Sequence, residues 1–117
     1  MSAAGAALAL ALAAGAAMAQ DGSRAEARTY VCEAGAVLRA AYLAPSGGDP
    51  MAVVDWAGQL VPMGAVPTAS GAAYADIDDR RGLRWRTKGD VGTLSYLPPE
   101  DGAEEIVLLE GCEAAAP

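Results

Sequence analysis

Fifteen carboxylates, eight cations, two cysteines and no histidine define the chemistry open to this 117-residue chain. Without histidine there is no Ser-His-Asp triad, no Cys-His pair and no His-based zinc site. The acids form two notable runs. Asp76, Asp78 and Asp79 stand just before Arg80 and Arg81. A calcium loop would need carboxylates at spaced positions and a distant bidentate Glu. The spacing here is wrong, and the two arginines compete for the charge, so the cluster reads as a solvated hairpin tip. Asp101, Glu104 and Glu105 read as a solvated loop. Two carboxylates at the right separation suffice for glycoside hydrolysis, but nothing singles out a pair. No catalytic residue is therefore assigned, no metal or cofactor is expected, and the chain is not read as an enzyme.

The cations are more informative. Five of the eight fall between Arg80 and Lys88, a stretch of charge +5, so the rest of the chain carries −12 and the whole −7. An acidic chain without a broad basic surface is a poor nucleic-acid binder. The stretch can be an exposed strand face whose long cationic side chains blunt a sheet edge. It can also be a cationic probe on an acidic body.

The elements that must carry these residues are short. Residues 2–19 form an uncharged alanine- and leucine-rich run ending in Ala17-Met18-Ala19, the small-x-small pattern cleaved in signal peptides. The competing reading is a membrane span, but alanine is only weakly hydrophobic. The basic n-region expected of a signal peptide is missing after Met1, which leaves open a start upstream. No cysteine lies near the cleavage site, so no lipid anchor is expected. Removal of residues 1–19 leaves 98, enough for one domain. Two Cys in an exported chain of this size are expected to pair, the rival being two free thiols. A Cys32–Cys112 bridge would enclose almost the whole domain, a contribution of about 4–5 kcal/mol in the chain-entropy model.

Residues 20–28 are polar and read as a flexible lead-in, residues 29–113 as the domain, and 114–117 as a tail. Strands are predicted over 29–32, 36–43, 51–56, 59–63, 70–77, 83–87, 91–97 and 104–110. Residues 64–68 are irregular, and the alanines of 36–43 would also suit a helix. Eight short strands with turns every eight to twelve positions predict an all-β, antiparallel sandwich or barrel. In the sixth, Leu83 and Trp85 share one face and Arg84, Arg86 and Lys88 the other, so Trp85 belongs to the core. In the last, Ile106, Leu108 and Cys112 are expected on one inward face.

The segment Ser70-Gly71-Ala72-Ala73-Tyr74, followed by Trp85-Arg86-Thr87-Lys88-Gly89, resembles the signature of the MliC/PliC family, bacterial inhibitors of C-type lysozyme. Tyr30-Val31-Cys32 is similar to the family's opening Tyr-x-Cys. The Ile106–Cys112 segment is similar to its closing strand and cysteine, and Thr68-Ala69-Ser70-Gly71 to the approach to its inhibitory loop. The resemblance implies an eight-stranded antiparallel barrel closed by one disulfide, Cys32 to Cys112, and a function without catalysis. It implies that Ser70 and Lys88 reach the two catalytic carboxylates of C-type lysozyme, the protein partner. Gly71 and Gly89 would allow the turns that present them, and Tyr74 would support the loop by packing.

Two departures accompany the resemblance. The Tyr74–Trp85 hairpin is longer than the family form, with the addition at 78–82, and Ala73 stands where family members often carry Arg. The oligomeric state, homodimer included, is left open. Rival readings are a small-ligand-binding barrel and a structural envelope barrel. A filled interior would count against the first.

Overall fold

The computed structural model describes residues 22–116; the signal-peptide reading of residues 1–19 lies outside them. Eight strands run in chain order: β1 (Arg24–Val31), β2 (Val37–Ala44), β3 (Met51–Trp56), β4 (Gln59–Val66), β5 (Ala72–Asp76), β6 (Leu83–Lys88), β7 (Val91–Tyr96) and β8 (Ile106–Ala114). Each pairs antiparallel with the next. β8 returns to β1 through Tyr30 opposite Ala114 and Val31 opposite Glu113, closing the barrel. The closing ladder is short, so the Arg24–Arg28 half of β1 pairs with β2 alone. A single 3₁₀ turn at Glu33–Gly35 joins β1 to β2.

The interior is packed. Trp85, Tyr30, Leu38, Met63, Leu94, Val54 and Val61 are fully buried. The Tyr30 and Trp85 rings meet edge to face, with centroids 5.0 Å apart, a favoured aromatic arrangement. The one polar atom of Trp85 is satisfied, because Nε1 donates to the Tyr42 hydroxyl at 2.8 Å. The Tyr42 and Tyr30 hydroxyls share a 2.6 Å hydrogen bond. Gly92 makes room for the indole, since a Cβ there would lie 2.3 Å from its ring. Cys32 and Cys112 are both buried and bonded to each other, with no free cysteine among the described residues.

Four expectations are corrected. β1 begins at Arg24, so 24–28 is strand and not flexible lead-in: Arg24 to Arg28 pair in register with Ala44 to Ala40. Residues 64–66 are regular, because Gly64 pairs with Met51 on one side and Ala75 on the other. β8 extends to Ala114, two residues past Cys112. The inward face of β8 also differs. Ile106 and Leu108 are exposed, while Leu109 packs against the core and Cys112 is buried. Leu94 opposes Leu109, Gly92 opposes Cys112 and Ser95 opposes Val107, so β8 carries an extra residue twice. Each such bulge reverses the alternation of faces, so the first turns Leu109 inward and Leu108 outward and the second restores the phase. The first contains Gly111, at φ +61°, with the Glu33 side chain packed over it.

Candidate functional site

Because successive strands are antiparallel, their connections alternate between the two ends of the barrel. The 45–50 loop, the 67–71 loop and the 89–90 turn share one end. The 77–82 segment lies at the other, across the length of β5 and β6 from Lys88.

Ser70 is exposed in the loop between β4 and β5. The Thr68 hydroxyl donates to the Ser70 carbonyl at 3.2 Å, a local bond that bends the approach. Gly71 follows at φ +69°, a left-handed conformation that favours glycine. A Cβ at Gly71 would stand 2.2 Å from the Thr87 carbonyl oxygen and 3.3 Å from the Lys88 Cα. The glycine thus sets the Ser70 loop backbone-to-backbone against the residues that end β6. Ala72 pairs with Thr87 and starts β5.

Lys88 ends β6 on its outward face, opposite Val91. The connection is the two-residue turn Gly89-Asp90, with Gly89 at φ +60°, the sign that Gly at the first position of a tight hairpin turn supplies. Asp90 ties this turn to the rest of the barrel. Its carbonyl accepts from Ala114 N at 2.8 Å, and its carboxylate accepts from Arg28 Nη1 at 3.1 Å.

Tyr74 faces Trp85 across the β5–β6 pair and is half-buried. Its ring lies 5.8 Å from that of Tyr42, tilted by 48°. Tyr42 therefore contacts Tyr74, four residues past Ser70, and Trp85, three residues before Lys88. Burial pushes the phenols of both tyrosines above their ordinary value, and at Tyr42 the hydrogen bond with Tyr30 adds to the rise. Both stay neutral at physiological pH and act as packing and hydrogen-bonding groups.

The +5 stretch divides on folding. Arg81 donates to both Asp76 oxygens, at 2.7 and 2.9 Å. Arg84 and Arg86 both face Glu105. Neither arginine is a free cation beside the site, which answers what β6's charged face does. Among the described residues Lys88 has no ion-pair partner. It is the single lysine of the chain.

Asp78 and Asp79 are exposed in the β5–β6 connection, as expected of a hairpin tip, but Asp76 is not solvated. Asp76 faces inward opposite Met63 and its side chain is 1% exposed. Besides Arg81 it accepts from the backbone N–H of Asp78 at 2.9 Å and of Leu83 at 3.3 Å. Burial would raise its carboxyl, but the Arg81 guanidinium and the two amides outweigh that and hold it below the usual range. The sequence shows only a carboxylate five residues before an arginine; the burial comes from the pairing of β5 with the inward face of β4. The Arg28–Asp90 contact joins residues 62 apart. Its only trace in the sequence is the period-two alternation of Arg24-Ala25-Glu26-Ala27-Arg28, which marks a strand.

Among the described residues no group of three or more His, Cys, Asp or Glu could hold a metal ion, and no helix is long and apolar enough to cross a membrane. Fold and site define a small, disulfide-closed antiparallel β-barrel with a filled core that presents two adjoining loops from one end. Residues 30–99, more than half of the chain, match the family model described as membrane-bound lysozyme-inhibitor of c-type lysozyme, MliC, and the chain belongs to that family. Its structure is similar to the crystal structure of PliC-St, the periplasmic lysozyme inhibitor of C-type lysozyme from Salmonella typhimurium. The TM-score is 0.64 and the identity 22%, over 78% of this chain and 98% of that one. No curated protein matches the chain.

Proposed function

We propose that this chain is an exported inhibitor of C-type lysozyme that blocks the enzyme's cleft with Ser70 and Lys88. The observation that carries the reading is an exposed ammonium, unpartnered among the described residues, on a lysine whose backbone the Ser70 loop packs against through Gly71. A lysozyme cleft holds one carboxyl kept protonated as general acid and one ionised carboxylate. An ammonium has three donors and no acceptor. Placed between those groups it stabilises their charged forms, which removes the proton the acid must deliver. The Ser70 hydroxyl donates to one carboxylate, and the loops exclude substrate. Gly71 and Gly89 set the turns, and Tyr74 braces the first loop.

The long-range field agrees. C-type lysozymes are typically basic, and a chain of net charge −7 is steered towards them. Membership of the inhibitor family and likeness to a periplasmic inhibitor support the same partner and a periplasmic location after removal of residues 1–19. Of the rival readings, a barrel that holds an apolar molecule is opposed by an interior filled with Trp85, Tyr30, Leu38 and Met63.

Lysis of a Gram-positive cell suspension by a C-type lysozyme, with and without the mature protein, tests the reading. The expected result is protection that rises to completion near a stoichiometric ratio. Unchanged lysis at a tenfold molar excess would show that this lysozyme is not the target.

A further inference from the structure

The turn that carries Lys88 also carries an acid. Asp90 is two residues away, within reach of a flexible four-carbon stem. Paired with Lys88, it would occupy the group that the proposed function requires to be free. Glu113 is the other acid on that face, but Val91 stands between it and Lys88 in the ladder, two strand spacings or about 9–10 Å away.

Asp90 is turned elsewhere. Arg28 Nη1 holds its carboxylate at 3.1 Å, while Arg28 Nε engages Glu26 at 3.1 Å. The two cations lie on opposite sides of the barrel wall. Arg28 follows the inward alternation of Tyr30 and is in register with the buried Ala40. Lys88 follows the outward alternation of Arg84 and Arg86. β8 pairs with β1 only at Tyr30 and Val31, so Arg28 lies beyond the closing ladder and spans from β1 to the β6–β7 turn.

We propose that Arg28 is a positioning residue that draws the Asp90 carboxylate away from Lys88 and so keeps the ammonium available to acidic groups on a partner. Its consequence for inhibition rests on the lysozyme reading above; the shielding of Lys88 from Asp90 does not. Arg28 is half-buried and Asp90 exposed, with side-chain accessibilities of 36% and 75%, so the pair contributes little to stability and its removal leaves the barrel folded.

Because Lys88 is the single lysine, its acylation by an N-hydroxysuccinimide ester can be followed on one peptide of the mature protein. Only the free amine attacks the ester, and an ammonium held by a carboxylate loses its proton less readily. Arg28→Ala is expected to slow acylation about two- to fivefold, the range of an exposed ion pair. Arg28→Ala combined with Asp90→Asn should restore it. Protection against lysozyme should fall and recover in parallel. A merely structural role for Arg28 predicts a double variant no better than the single one, and that result would overturn the proposal. So would an Arg28→Ala protein acylated at the wild-type rate. If acylation slows and recovers while lysis is the same for every variant, Lys88→Ala included, the shielding stands and the lysozyme reading falls.

Discussion

The β5–β6 hairpin has two ends built on opposite principles. At its closed end Asp76 is buried, held by both nitrogens of an arginine fork and by two backbone amides. At its open end Lys88 is exposed and without an ion-pair partner, and a glycine rather than a side chain brings the Ser70 loop against it. The first arrangement satisfies the buried charge within the chain and serves the fold. The second leaves a donor unsatisfied and fixes the backbone around it, as a binding site requires. The same +5 stretch contributes to both, which shows that charge in a sequence acquires its meaning from the partners folding supplies.

The sharpest way to break this contrast is at the open end. Lys88→Ala should weaken lysozyme binding by about 2–5 kcal/mol if the ammonium meets buried carboxylates, with the melting temperature unchanged; calorimetric titration and a thermal scan separate the two. An unchanged affinity removes Lys88 from the site. At the closed end Asp76→Asn should do the reverse, costing about 2–3 kcal/mol of stability through lost charge-assisted bonds and a mispaired buried amide, with no loss of affinity per folded molecule.

The same substitution sharpens the pH dependence. The folded-state pKa of Asp76 lies below its unfolded value. Its contribution is therefore fully present above the unfolded carboxylate value and is lost as pH falls through the folded one. The wild-type advantage over Asp76→Asn should shrink on acidification from neutral pH to about pH 2, as read by urea unfolding. Gly71→Ala should cost about 2–4 kcal/mol of stability, for a left-handed alanine and for a Cβ that would stand 2.2 Å from the Thr87 carbonyl oxygen. Because the clash falls on Thr87 and Lys88, its loss of inhibition should exceed its loss of stability, as a lysis titration beside a thermal scan would show.

Much of the barrel was legible in residue order. The positions of eight strands, the inward Trp85 and outward Arg84, Arg86 and Lys88 follow from period-two alternation and turn residues, because both act over neighbours in the chain. Two cysteines in a chain read as exported were expected to pair, and they do. The Ser70 and Lys88 motifs were visible as residue types and spacing, but their adjacency was not. It comes from the approach of Gly71 to Thr87, across a hairpin.

The sequence by itself determined the strands, their faces wherever pairing is regular, and the group left to project at Lys88. Folding decided the rest: the bulge that turns Leu109 inward and Leu108 outward, the burial of Asp76 under Arg81, and the hold of Arg28 on Asp90. The reason is one of range. Alternation is a local rule and fails where a partner strand shifts register by one residue. Which charges meet depends on barrel closure, which brings Arg28 within 3.1 Å of an acid 62 residues away.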